Sequence, residues 1–255
     1  MQLPSAGEPQ VLTPAARRIL EIRQKIARAA EKTGRDPLSI RLIASSRGLM
    51  VDPVLDAVNA GIRELCEEYL PEGITKRPPV DHRVPGITWH FVGELPPQKI
   101  HLAVEFFEWI HSVDRITTIR SLSEAVAAKG KKELKLLVEV NPLGKRKRMG
   151  ASPEEVPFLI EAVQRIPGVR LMGLSMKNES AFSAKESVEA FRAMEKLRNE
   201  FLNKGVLPTQ AIDLAMGSSR DFEEAISRGA TIVRLGKAVF GTRAEQQWAD
   251  EGWES

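Results

Sequence analysis

Eight times along this chain a short apolar run is followed by a stretch with helical patterning, and that alternation constrains the fold more than any single motif. The runs are IRLIASS, IRELCEE, ITWHFVG, WIHSVD, ELKLLVEVN, VRLMGLSMK, AIDL and TIVRLG. Strands separated by helices pair in parallel through right-handed crossovers. Eight such units within 255 residues favour an α/β fold closed into a single (β/α)8 TIM barrel over an open doubly wound sheet. ELKLLVEVN is apolar almost throughout, as befits a strand buried on both faces.

Thr13 and Pro14 read as the N-cap and first position of an N-terminal helix preceding the barrel, with Ile19, Ile22, Ile26 and Ala29 on one stripe and Gly34 as its stop. The barrel is expected over 13–243, after a disordered lead over 1–12 and before an acidic tail over 244–255, whose Trp248 and Trp253 either dock on the body or fray. PPVDHRVPG reads as a Pro-rich connector. Ser152 and Pro153 read as the cap and helical-start proline of the helix SPEEVPFLIEAVQRI.

An apolar fraction of 42% and a charged fraction of 28% describe an ordinary globular chain. The formal charge of +3 permits an anionic ligand without arguing for nucleic acid. A single cysteine, Cys66, excludes an internal disulfide framework and fits a reducing compartment. With no leader pattern at the N-terminus and no run long enough to span a bilayer, a soluble cytoplasmic monomer without membrane or nucleic-acid partners is expected. The histidines and the cysteine show no metal-ligand spacing.

The segment over 211–243 carries the chemistry. AIDL is followed by Met216, Gly217, Ser218 and Ser219, where either serine can cap the helix over RDFEEAISRG, ended by Gly229. TIVRLG then places Arg234 near a strand end, Gly236 where backbone can approach closely, and Lys237 at the start of a further short helix. Barrels commonly hold phosphate in the loops after strands seven and eight, so these residues form a candidate cradle for a phosphate-bearing small molecule. Two well-capped αβ units without a ligand would read the same way.

From about residue 15 to 243 the chain resembles the pyridoxal phosphate homeostasis protein family, single barrels similar to the N-terminal domain of alanine racemase. The resemblance rests on LIASSR, EEYLPE, WHFVGELPPQK, IHSVD, LLVEVN, VRLMGL and DLAMGSSRDFEEAISRGATIVRLGKAVFGTR. It implies pyridoxal 5′-phosphate as ligand, with the family's phosphate cradle falling on Ser218, Ser219, Arg234 and Gly236. It also implies that Arg47 stands where the family carries the lysine that forms an imine with the cofactor. A guanidinium stays protonated and cannot make that bond. The family's GENY-like motif has become Cys66, Glu67, Glu68 and Tyr69, and its HLQ-like turn has become Glu94, Leu95, Pro96 and Pro97.

The expected ligand set is therefore Arg47, Asn141, Met216, Gly217, Ser218, Ser219, Arg234, Gly236 and Lys237, with no catalytic residue. Arg47 pairs with an anionic ligand or with Glu67 or Glu68. Lys177 or Lys237 is placed to replace the lost amine, unless each is simply solvated. His90 and His111 read as core or rim histidines rather than as catalytic bases. The run Lys145, Arg146, Lys147, Arg148 is a solvated loop, a recruiter of phosphate, or a weak polyanion contact. The function expected is non-catalytic, reversible binding of pyridoxal 5′-phosphate without a Schiff base. A diverged protein binding a partner or another phosphorylated metabolite is the alternative. An amino-acid racemase or lyase ranks last, because racemases of this type need a second domain supplying an opposing base.

Overall fold

A computed structural model describes residues 12–144, 149–177 and 182–241. The lead over 1–11, the basic run 145–148 and the tail from 242 onward lie outside the described residues. The chain forms α1 (Pro14–Glu31), β1 (Arg41–Ser45), α2 (Val51–Asn59), β2 (Glu64–Glu67), α3 (Leu70–Arg83), β3 (Thr88–Phe91), α4 (Ile100–Phe106), β4 (Trp109–Val113) and α5 (Ile116–Ala128). It continues with β5 (Leu134–Glu139), α6 (Val156–Arg165), β6 (Val169–Ser175), α7 (Ala184–Asn203), β7 (Asp213–Ala215), α8 (Phe222–Ser227), β8 (Ile232–Leu235) and α9 (Lys237–Phe240). The strands close in chain order into the expected barrel, all neighbours parallel, with Leu42 beside Val233 at the seam.

Two apolar layers fill the molecule. Between barrel and helices lies the larger, including Trp89, Phe91, Phe107 and Phe191. Inside the barrel, Ile43, Cys66, Val92, Trp109, Leu137, Ala215 and Ile232 meet one another. Each strand alternates its side chains between these layers, so a residue two or four positions from an interior one faces the barrel axis. That parity sends polar side chains inward at the strand starts. Arg41 lies 3.0 Å from Glu64 and 3.3 Å from Asp213, with its guanidinium carbon 4.4 Å from the Trp109 ring centre.

The N-terminal helix begins as expected: the Thr13 hydroxyl accepts the Ala16 N–H at 3.1 Å, and Ile19, Ile22, Ile26 and Ala29 are buried. Arg18 donates to the carbonyls of Val239 and Phe240, at 2.9 and 3.3 Å, tying α1 to the last short helix.

Two expectations fail. The Pro-rich connector is helical: α3 runs through Pro78 and Pro79 to Arg83. Two prolines remove two helical N–H donors, so tertiary anchors on the same helix must hold it. Lys76 buries its amine, donating to Glu67 Oε1 at 2.8 Å and the Ser46 carbonyl at 2.6 Å. Arg77 bridges Asp81 and Glu108, at 2.9 and 2.7 Å, and Asp81 accepts the Trp89 indole N–H at 2.9 Å. The second concerns where α6 starts: the helix proper begins only at Val156, although the chain already turns at Ser152, whose N–H goes to Glu155 Oε2 at 2.8 Å and whose carbonyl accepts the Glu155 and Val156 N–H groups at 3.0 and 3.3 Å.

The Lys76–Glu67 pair is the buried anchor of this corner, with side-chain exposures of 5% and 0%. Replacing Lys76 with Met strands the carboxylate, and we expect a loss of about 3–5 kcal/mol in urea denaturation. A change below about 1 kcal/mol would show that the prolines are held by something else.

Candidate functional site

The strand C-termini form one rim, and most of the expected ligand residues lie on it. At the β7 and β8 exits the two turns are joined. The Gly217 carbonyl accepts the Arg234 N–H at 3.2 Å, and the Ser219 hydroxyl accepts the Ala238 N–H at 3.0 Å. Gly217 has a φ of +98°, and a Cβ there would lie 2.7 Å from the Ala225 Cβ, so no other residue fits without strain. Gly236 lets the β8 exit pass β1, since its Cβ would stand 3.3 Å from the Ser45 carbonyl oxygen.

Ser219 does not cap α8, but Ser218 takes up the turn that leads into it: its hydroxyl accepts the Arg220 N–H at 3.4 Å and its carbonyl accepts those of Asp221 and Phe222 at 3.1 and 3.0 Å. The helix opens at Asp221 with no side-chain cap. Ser218 directs its hydroxyl and its N–H to Asp221 Oδ1, at 2.8 and 2.7 Å, because a nearby carboxylate is a stronger acceptor than a distant ligand is a lure. Ser219 instead serves α9. Met216 contributes backbone alone, its side chain being fully buried in the outer layer. Arg234 is half-buried and donates to the Met176 carbonyl; Lys237 is exposed and Lys177 half-buried. Asn141 is held two strands round from β7, its N–H bonded to the Ala151 carbonyl at 2.9 Å and its own carbonyl accepting from Gly144 at 3.2 Å.

Between β1 and β2 the ambiguity over Arg47 resolves to Glu68, with Nη1 2.8 Å from Oε2. Glu67 has the opposite parity. It turns outward, where it accepts from the Ser46 hydroxyl and Lys76. Burial pushes the Glu67 pKa above the usual carboxylate range despite the Lys76 charge beside it. The Glu72 carboxylate accepts the Gly48 N–H at 2.6 Å and so fixes the turn after Arg47.

Below the rim runs a buried polar column. Glu64 Oε2 lies 3.0 Å from His90 Nε2, as a close contact rather than an aligned hydrogen bond, and His90 Nδ1 lies 3.0 Å from His111 Nε2. Burial raises the Glu64 pKa, but His90 and Arg41 beside it outweigh burial and hold the carboxyl below its ordinary range. Burial lowers both histidines, His111 further because His90 and Arg234 add unfavourable positive charge. The ionised Glu64 assigns the tautomers: His90 carries its proton on Nε2, and its Nδ1 accepts from the His111 Nε2–H. His111 Nδ1 is then an acceptor, buried and without a hydrogen-bond partner. Cys66, in the same interior, has its thiol pushed up to about 12 by burial.

Glu64, Arg41, Asp213 and Lys76 were not anticipated. Their signal was parity: Arg41, Glu64 and Asp213 each stand two residues before an apolar interior neighbour, Ile43, Cys66 and Ala215. For Lys76 it was the i, i+4 spacing from Glu72. Among the described residues no group of three or more His, Cys, Asp or Glu side chains is arranged to hold a metal ion, and no helix is long and apolar enough to cross a membrane.

The histidine pair sets a pH dependence. Both folded-state pKa values lie below the ordinary 6.5, so the unfolded chain takes up protons first as the pH falls. Their contribution is fully present above pH ~6.5 and is lost as the pH drops toward the folded values. Glu67, with a raised pKa, acts oppositely: its contribution is present below its ordinary 4.5 and lost above it. We expect His111→Gln to flatten the fall in unfolding free energy between pH ~6.5 and ~5. An unchanged slope would exclude the column as its source.

The alanine racemase N-terminal domain model matches residues 19–244. A pyridoxal phosphate homeostasis protein of Pseudomonas aeruginosa is 37% identical over 232 residues, which cover 91% of this chain and 97% of that one. The protein of that name from Escherichia coli (strain K12) is 33% identical, covering 89% and 96%. Among solved structures, PipY of Synechococcus elongatus with PLP bound superposes with a TM-score of 0.76 at 27% identity, covering 89% of this chain and all of that one. Matches of this length and identity place the chain in the pyridoxal phosphate homeostasis protein family, carrying the alanine racemase N-terminal domain.

Proposed function

We propose that the chain binds pyridoxal 5′-phosphate, or a closely related phosphate ligand, reversibly and without a covalent bond at Arg47, and that it buffers this cofactor rather than using it in catalysis. The observation that carries this reading is the joined pair of turns at Gly217–Ser219 and Arg234–Ala238, beside a first strand whose exit bears a guanidinium. The PLP-bound PipY structure and the names of the relatives support it.

The residues fit such a ligand. Ser219 accepts from Ala238 and so retains its own hydroxyl proton to donate. Lys237 N–H opens α9, where helical geometry supplies no partner. Arg234 spends one N–H on the Met176 carbonyl and keeps the rest of its donor set. Glycines at 217 and 236 remove Cβ atoms that would press on Ala225 of α8 and on the Ser45 carbonyl of β1. Ser218 contributes least, its donors being committed to Asp221. When bound, pyridoxal phosphate supplies an aldehyde that amines attack; the chain's part is to hold the phosphate and to offer no amine at the β1 exit. Arg47 cannot act as that nucleophile because guanidinium does not lose its proton at working pH.

The test is spectral. Purified protein titrated with pyridoxal 5′-phosphate should show a saturable absorbance change that dialysis reverses, with no mass retained after borohydride. Ser219→Glu places a like charge at the phosphate and should weaken binding at least about tenfold, ~1.4 kcal/mol. A reduced adduct recovered on Lys177 or Lys237 would overturn the non-covalent reading. Absence of binding, with stabilisation by a different phosphorylated metabolite, would favour a diverged relative instead.

A further inference from the structure

The Arg47–Glu68 pair is built unlike the Lys76–Glu67 pair of the same corner. Parallel pairing of Ser45 with Cys66 sets the register in which positions 47 and 68 come next to one another beyond the strand ends. Both stand just past the strand ends, and Glu68 is close enough to the interior Cys66 to act on its thiol. Their side chains are 62% and 27% exposed, against 5% and 0% for Lys76 and Glu67. An exposed pair contributes about 0–1 kcal/mol, so its removal does not threaten the fold.

The backbones beneath the two charges are nevertheless pinned. Gly48 donates to the buried network through Glu72. Gly93 passes so close that a Cβ there would stand 1.8 Å from the Glu68 carbonyl oxygen. The next strand round from β1 is β8, and Gly236 touches Ser45, so the pair sits next to the proposed phosphate turns. A forked cation and a carboxylate are thus held side by side, on the same rim as the turns that suit phosphate.

A neutral aldehyde offers neither charge a partner. The end of a ligand that carries a carboxylate and an ammonium on one carbon offers both: guanidinium forks the carboxylate, and Glu68 takes the ammonium. We propose that the ligand class of this site is a vitamin B6 phosphate already joined to an amino acid through nitrogen, with Arg47 and Glu68 as its specificity-determining residues. The proposal rests on the phosphate-binding reading above and deepens it. No bond is made or broken by the protein; the pair opens and each member exchanges its partner for the ligand's opposite charge.

The experiment compares two stable probes by isothermal titration calorimetry. N-(5′-phosphopyridoxyl)-L-alanine carries the zwitterionic end, and pyridoxine 5′-phosphate carries a neutral alcohol there. We expect the first to bind at least about tenfold more tightly, ~1.4 kcal/mol. Arg47→Gln and Glu68→Gln should each bring the ratio of the two affinities toward one. The double exchange Arg47→Glu with Glu68→Arg should restore part of it. Thermal midpoints of the variants, expected to stay close to that of the parent chain, show that each is folded. Equal affinities for the two probes would overturn the proposal while leaving phosphate binding intact. Failure of both probes to bind would overturn the phosphate reading and this proposal together.

Discussion

A closed barrel depends on the seam between its first strand and its last ones, and here the side chain and backbone of Arg41 bridge that seam. Its guanidinium reaches Glu64 on β2 in one direction and Asp213 on β7 in the other, passing beneath β8, while its N–H meets the Thr231 carbonyl at 2.8 Å. Burying charges is costly unless they are paired, and this set pairs them where the strands begin. The same Glu64 continues inward to His90 and His111, so the polar interior is continuous from the lower mouth to the middle of the barrel. Apolar side chains fill the space around it.

Upper and lower mouths therefore differ in kind. Below, charges are partly shielded and cross-linked between strands. Above, at the β1–β2 corner, two neighbouring glutamates take different partners. Glu67 turns outward into the Lys76 network and holds the corner, while Glu68, one residue past the strand end, pairs with Arg47 and stays partly exposed. One step along the strand decides which of two adjacent glutamates serves stability.

Much of this was legible in the sequence, and for identifiable reasons. Thr13, Pro14 and the stripe of Ile19, Ile22 and Ile26 follow rules that act within one helix, and the structure obeys them. The eight strands were visible because apolar runs and glycine stops are also local. What escaped was set by distant partners. Pro78 and Pro79 read as breakers because their helix is held by Glu67, Glu108 and Trp89, residues that a window over α3 does not contain. Ser152 keeps part of a cap's chemistry through Glu155, but the helix proper starts four residues on, at Val156. At the candidate site, Gly217, Ser219, Arg234 and Gly236 lie in two turns that the fold joins, and Ser219 serves α9 rather than α8. Side-chain oxygens choose among acceptors and donors that only the fold assembles.

The interior thiol has a practical bearing. Cys66 is completely enclosed and its pKa is raised to about 12, so alkylating reagents meet almost no thiolate until the barrel opens. Its modification rate becomes a clock for global opening, readable by mass without a probe or a label. For the same reason a cysteine introduced at the surface can carry a dye alone, with the native one left in place.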